Sequence, residues 1–483
     1  MNNNKQLPRS TPEKQGIHSK AILDFIEDLE KEENEIHGLM ILRHGHVVSE
    51  GWWAPYRSEL KHMLFSLSKS FTSTAVGLAV NEGIMSVEDK VISYFPKELP
   101  ENISENLSEM KVKHLLSMST GHDKDTTDHV VSQTEGNWVK GFLELEVEHE
   151  PGTYFVYNTT ATYMLSAIVQ KVTGQTLLNY LTPRIFEPLG IEGATFETCP
   201  KGINTGGFGL SIKTEDIAKF GQLYLEKGRY NGKPLIPEEW IAEATKSHIS
   251  NGSSKDSDWE QGYGYQFWRC SHNAYRGDGA FGQYCVVMPD QDMVVAINSG
   301  IDDMQPVLSL IWKHLLPQLG KGIFTDNAEG YDELTEKLLS LKLPVSKECY
   351  FDNNTEMSTV ENEICDKYYN LQENKHGFNQ LSIRFEDSKF QISIVHSKGE
   401  YKISGGIGKR LEDKTDLLGT MSATSSYGYW ASANTFVTKL QFIETPFCYT
   451  IKLYFEGNRI EISGNVNVSF GTKEPPILRG EAY

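Results

Sequence analysis

A serine and a lysine three residues apart, Ser66 and Lys69, stand where the apolar stretch Met63-Leu64-Phe65 runs into a long helix-type segment. At a helix start that spacing puts both side chains on one face, one turn apart. The serine oxygen then lies near the positive end of the helix dipole. A serine hydroxyl is a poor nucleophile until a base takes its proton, and an amine is such a base only when deprotonated. The tetrapeptide alone decides nothing, because Ser58-Glu59-Leu60-Lys61 and Ser108-Glu109-Met110-Lys111 share its form. Context separates them. After Lys69 the chain runs from Ser70 to Val80 in small and apolar residues, without charge until Glu82, and Gly83 supplies a stop. A helix apolar all round belongs inside a domain, where burial lowers a lysine's pKa. The bland alternative is a serine N-cap beside a surface lysine.

Two later segments carry groups that fit the same chemistry. Pro151-Gly152 leads into the β-type run Tyr154-Phe155-Val156-Tyr157 and then into a second helix, with Thr159 or Thr160 as its expected cap. Ala161, Met164, Leu165, Ile168 and Val169 recur there at helical spacing, and Gly174 closes it. Tyr157 so placed is either a packed tyrosine with a satisfied hydroxyl or a proton carrier for a neighbouring serine. Further on, Arg276-Gly277-Asp278-Gly279-Ala280-Phe281-Gly282-Gln283 precedes two apolar runs split by Asp290-Gln291-Asp292, the pattern of a hairpin. Its glycines permit close approach of another backbone or a substrate. A strand-edge N–H at Ala280 would then join that of Ser66 in holding an oxyanion; the alternative is an ordinary glycine-rich loop.

Taken in order and spacing, the three segments resemble the serine β-lactamase and penicillin-binding family. The branch is that of class C β-lactamases and D-alanyl-D-alanine carboxypeptidases, with Ser-x-Ser-Lys, Tyr-x-Asn and then Lys-Thr-Gly or His-x-Gly. The likeness runs over about residues 10–325. It includes Gly38 to Gly45 as a first hairpin strand, His114 to Gly121 as a helix and turn, and Gly206-Gly207-Phe208-Gly209-Leu210-Ser211 as a later signature. It implies an α/β (α+β) fold, an antiparallel sheet flanked by helices with a helical subdomain. It implies Ser66 as acylated nucleophile, Lys69 and Tyr157 as its bases with their order open, and the amides of Ser66 and Ala280 as oxyanion hole. Thr159, Asp278 and Gly279 take the substrate-binding places. No cofactor and no catalytic metal are expected.

Two departures steer the expected substrate. Threonine at 159 stands where β-lactamases place an amide donor. Gly277-Asp278-Gly279 has neither lysine nor histidine at its head, and Asp278 repels the carboxylate such a cation would bind, unless Arg276 compensates. The pattern is closer to the serine esterases and 6-aminohexanoate-dimer hydrolase, which implies cleavage of a small-molecule ester or amide over β-lactam hydrolysis. The competing readings are a D-amino-acid peptidase or penicillin-binding protein, and a catalytically silent sensor.

Of 483 residues, 46 are Lys or Arg and 65 Asp or Glu, a net charge of −19 that argues against nucleic acid and anionic membranes as partners. Met1 to Pro8 has no apolar core of a signal peptide, and no 18-residue apolar run is present, so a cytoplasmic location is expected. The cysteines, at 199, 270, 285, 349, 365 and 448, are scattered and read as free thiols. His44-Gly45-His46 reads as a turn and His122 to His129 as a polar loop, neither completing a metal template. The expected division is a hydrolase domain over 1–325, a helical linker over 326–348 and an all-β domain over 349–483. In the last, alternating runs such as Leu381 to Phe385, Phe390 to Val395 and Tyr449 to Phe455 predict an antiparallel all-β domain, a small barrel or sandwich, and it resembles the lipocalin-like β-barrel domains sometimes appended to this hydrolase family. Tyr427, Tyr429 and Trp430 are read as barrel filling or a contact surface.

Overall fold

The computed structural model describes residues 6–32, 34–133, 136–319, 322–324, 328–346 and 360–482. The expected domain boundaries near 326 and 349, and Cys349, lie outside them. Contacts divide the chain into two units: Met1–Trp52, Ser58–Ser299 and Asp303–Leu341 form the first, and Trp53–Arg57, Gly300–Asp302 and Lys342–Tyr483 the second.

The first unit is built on helix α1 (Ser19–Lys31), strands β1 (Ile36–Arg43) and β2 (His46–Trp52), helices α2 (Ser68–Asn81), α3 (Thr159–Thr173) and α4 (Thr214–Leu225), and strands β3 (Trp268–Arg269), β4 (Tyr275–Gly279), β5 (Gln283–Met288) and β6 (Met293–Ser299). The strands form one sheet in the order β2-β1-β6-β5-β4-β3, and its pairings are antiparallel. Every residue of β1, β5 and β6 is buried. That explains their continuous apolar runs, since a strand covered on both faces has no solvent side to alternate toward. Helix α4 lies across β1, β5 and β6. Helix α5 (Ala328–Leu339), in the stretch read as a linker, packs on α1.

Helix α2 is buried from Ser68 to Ala79. Two of its hydroxyls offset their desolvation by donating to carbonyls: Ser70 Oγ to Gln266 at 2.9 Å and Thr72 Oγ1 to Gly206 at 2.8 Å. Helix α3 ends at Gly174 in the left-handed conformation, φ 70°. Its cap differs from the expectation. Asn158, not a threonine, caps it, its side-chain oxygen accepting from the Thr160 N–H. His44-Gly45 is the β1–β2 turn, whereas His129 falls in a short helix, Thr127–Gln133.

The second unit comprises β7 (Tyr369–Leu371), β8 (Phe378–Glu386), β9 (Lys389–His396), β10 (Gly399–Ile407), β11 (Leu411–Thr415), β12 (Ser422–Ser432), β13 (Thr435–Phe442), β14 (Cys448–Glu456), β15 (Arg459–Val466) and β16 (Leu478–Ala482). They pair in the order β10-β9-β8-β7-β16-β15-β14-β13-β12-β11. A parallel pairing of Gly406 with Tyr427 and Ile407 with Gly428 closes nine of them into a barrel, with β11 paired beside the closure. Closure removes the sheet edges. Trp430 joins the barrel core, with its ring 5.4 Å from that of Phe436. Tyr427 and Tyr429 form a separate buried cluster with Val437, so the aromatic trio of β12 divides between its two faces.

Candidate active site

The expected nucleophile, Ser66, lies just ahead of α2, in a one-turn 3-10 segment over Phe65–Leu67. Lys69 is the second residue of α2, and its side chain is buried at 1% exposure. Its Nζ lies 2.9 Å from Ser66 Oγ, 3.2 Å from Thr159 Oγ1 and 2.8 Å from the Gly207 carbonyl oxygen. Burial pushes the amine down to about 7, against the opposing pull of Asp125 and Asp278. At neutral pH the neutral amine is therefore well populated, and it holds two protons and one lone pair. Three neighbours match those three directions.

Tyr157 lies over Lys69, with Nζ 4.8 Å from its ring centroid, and the Ser66 side chain is among the groups that act on its phenol. Burial, seconded by the Asp278 carboxylate, holds that phenol well above its ordinary value. It stays protonated at neutral pH. The run before it, read as β-type, belongs to no strand; Val156 N–H donates to Met118 O at 2.9 Å. Tyr157 stacks on Trp268 at 5.1 Å and meets Tyr263 edge-on at 6.1 Å, so one wall of the site is aromatic. Thr159, expected to face substrate, is in contact with Lys69 itself.

The third segment packs against the serine's own turn. A Cβ at Gly279 would stand 1.9 Å from the Leu64 carbonyl oxygen, and one at Gly277 2.4 Å from Ser70 Oγ. Only glycine permits that approach. Ala280 follows at the first position of the β4–β5 turn, and Phe281 beyond it packs edge-on against Phe65 at 5.2 Å. Among the described residues neither the Ser66 nor the Ala280 N–H donates to a backbone carbonyl in these turns. Arg276 does compensate Asp278: Nε meets Oδ2 at 2.7 Å, with the two side chains 0% and 6% exposed. The guanidinium also donates to Asp258 O at 2.7 Å and to Cys270 Sγ at 3.1 Å, and lies over Trp259.

A model of the Beta-lactamase family matches residues 26–309, more than half of the chain. This chain belongs to the beta-lactamase family. The beta-lactamase-family chain is 24% identical over 314 residues to 6-aminohexanoate-dimer hydrolase of Paenarthrobacter ureafaciens, covering 59% of this chain and 78% of that protein. Among solved structures it is similar to EstCE1, a hydrolase with promiscuous acyltransferase activity, at 16% identity and TM-score 0.52, over 61% of this chain and 99% of that one. An octameric penicillin-binding protein homologue from Pyrococcus abyssi matches 96% of this chain and 99% of its own, at 15% identity and TM-score 0.50. At such identities the structural likeness is one of fold.

Three residues that hold the site of this beta-lactamase-family protein escape sequence reasoning. Asp125 Oδ1 accepts from the Thr159 N–H at 3.2 Å and from Thr127 Oγ1 at 2.6 Å, which ties the loop before the short helix to the start of α3. Gly207 O accepts a hydrogen bond from Lys69 Nζ, and the nearby Leu210 N–H donates to Ser68 Oγ at 3.1 Å. Gln266, at φ 66°, joins three segments: Nε2 donates to Leu116 O at 2.8 Å, and Oε1 accepts from Thr162 Oγ1 at 2.6 Å. The Gly206-Gly207 pair was the visible signal for one of these. Asp125 sits in a polar loop with no distinguishing pattern, and Gln266 in the buried aromatic stretch Tyr263-Gly264-Tyr265-Gln266-Phe267-Trp268. Among the described residues no cluster of three or more His, Cys, Asp or Glu suits a metal ion, and no helix is long and apolar enough to cross a membrane.

Proposed function

We propose that this protein is a serine hydrolase that cleaves an ester or small amide through an acyl-enzyme. The observation that carries the reading is the setting of Lys69. Its amine, near neutrality, faces two fixed acceptors and one hydroxyl. With both N–H bonds given to Gly207 O and Thr159 Oγ1, the lone pair is left for the Ser66 proton.

In the proposed sequence Ser66 Oγ attacks the substrate carbonyl carbon as its proton passes to Lys69. The carbonyl oxygen gains the negative charge and is held by the amides of Ser66 and Ala280. Tyr157, kept as a phenol, hands a proton to the departing alcohol or amine and is reprotonated with the proton that Lys69 took from Ser66. Water then repeats the steps on the acyl-enzyme and releases the acid.

Two features favour an ester or amide without a carboxylate at the third segment. The guanidinium there is fully buried and gives its Nε to Asp278 and its Nη1 to the Asp258 carbonyl and Cys270. The wall of Tyr157, Tyr263 and Trp268 is apolar. The relative named 6-aminohexanoate-dimer hydrolase supports a small-molecule substrate of this class.

A fluorophosphonate probe tests the reading. Stoichiometric labelling of the wild type, lost in Ser66→Ala, is expected; an unlabelled wild type points instead to a silent sensor. A panel of p-nitrophenyl esters, nitrocefin and D-alanyl peptides then sorts substrates, with esters expected to turn over fastest.

A further inference from the structure

Two glycines bracket Tyr263 and fix how its ring is presented. Gly262 holds φ 101°, and a Cβ at Gly264 would stand 2.2 Å from the Ala244 carbonyl oxygen. Between them the Tyr263 N–H donates to Ile249 O at 3.1 Å, and the Tyr263 carbonyl accepts from the His248 N–H at 2.8 Å. The ring is held as firmly as the backbone. Trp268 and Tyr157 meet it edge-on at 4.9 and 6.1 Å, and Phe155 lies 5.4 Å away.

The hydroxyl has no such hold. A buried tyrosine ordinarily gives its O–H a partner, as Tyr224 does with Thr74 Oγ1 at 2.8 Å and Tyr284 with Met304 O at 2.6 Å. Tyr263 is 1% exposed, yet among the described residues its hydroxyl makes no hydrogen bond. Its surroundings are those of the serine. Burial pushes the phenol well up, seconded by the Tyr157 phenol and the Asp278 carboxylate, with Arg276 opposing. Tyr157 and Asp278 also act on Lys69. The Tyr263 phenol therefore stays protonated at neutral pH, a fixed donor on the wall that Tyr157 shares.

We propose that the Tyr263 hydroxyl donates a hydrogen bond to an acceptor in the departing part of the substrate, so that the protein selects leaving groups carrying an ether, hydroxyl or carbonyl oxygen a few bonds from the scissile one. This rests on the hydrolase reading above, in which Tyr157 serves the departing group, and adds the kind of alcohol or amine that leaves. A leaving group with an acceptor there offsets the desolvation of the phenol. One with a methylene in its place leaves a buried donor unpaired, which is the stronger source of discrimination.

Two acetate esters test this on the full-length protein: 2-methoxyethyl acetate and butyl acetate. They deliver the same acetyl group and differ by an ether oxygen in place of a methylene, and kcat/KM reports the steps up to departure of the alcohol. The wild type is expected to favour the methoxyethyl ester, and the ratio of the two kcat/KM values is expected to fall about tenfold in Tyr263→Phe. Comparing ratios cancels the esters' own reactivities, and a loss of general packing would move both esters together. Because the hydroxyl has no protein partner, Tyr263→Phe is expected to melt no lower than the wild type. A lower melting temperature, or failure to fold, would show that the hydroxyl holds the structure and would overturn the assignment. An unchanged ratio, with both esters cleaved, would overturn it and leave the hydrolase reading standing. Neither ester cleaved, and no acetyl on Ser66, would remove the hydrolase reading and this proposal with it.

Discussion

Phe65 and Phe281 meet edge to face at 89°, and both hold positive φ, 48° and 64°. One precedes Ser66 and the other follows Ala280, so the ring contact spans the two amides assigned to the oxyanion. A left-handed backbone at a bulky residue costs about 1–3 kcal/mol and persists where surrounding structure over-determines it. Here the close approach of Gly279 to Leu64 and this ring pair supply that determination. Phe281→Ala is expected to lower kcat about tenfold with little change in KM, less than the ~10²–10³ lost when a donor is deleted. Steady-state kinetics on a p-nitrophenyl ester check it.

The Lys69 amine sets the pH dependence. Its value, about 7, lies below the ordinary one, so the ammonium form takes over as pH falls through 7 and the lone pair is lost. Accordingly kcat/KM is expected to fall about tenfold per unit below that point and to level off above it. Lys69→Ala removes the base and is expected to cost on the order of a hundredfold or more in turnover.

Tyr157→Phe keeps the ring stacked on Trp268 and deletes only the hydroxyl. Turnover is expected to fall on the order of a hundredfold or more, while the acid limb of the pH profile stays. Unchanged turnover would assign the leaving-group proton elsewhere.

Asp278→Asn separates two effects. It leaves Arg276 buried without its charge partner, a loss of about 3–5 kcal/mol, to be read from the urea midpoint. It also removes a carboxylate that favours the Lys69 ammonium, so the acid limb is expected to move to lower pH. A limb that moves upward would contradict the electrostatic assignment.

The legible part of the site is what local pattern encodes. Ser66 and Lys69 stand out because an uncharged run after a Ser-x-x-Lys marks a buried helix, and α2 is buried along its length. The hairpin of β5 and β6 follows from two apolar runs around a polar turn, and the barrel strands from their alternation. Non-local partners are not written this way. Arg276 and Asp278 are two apart in sequence, so their pairing was a visible option, but the burial that makes it strong comes from Trp259 and Cys270. Gln266 reaches Leu116, 150 residues away in sequence, and nothing near either residue signals it. The cap of α3 differs from the expected threonine because two threonines follow Asn158, whose own side chain caps the helix and also accepts from Thr126 Oγ1.

The most direct measurement is the rate at which Ser66 is acylated as a function of pH. Intact-mass spectrometry after rapid mixing with p-nitrophenyl acetate reads it, with peptide mapping to place the acetyl group. A single acetyl on Ser66 is expected, forming about tenfold more slowly per pH unit below about 7 and scarcely at all in Lys69→Ala. An acetyl on another residue, or a rate on Ser66 that ignores both pH and the loss of Lys69, would contradict a neutral lysine as the base.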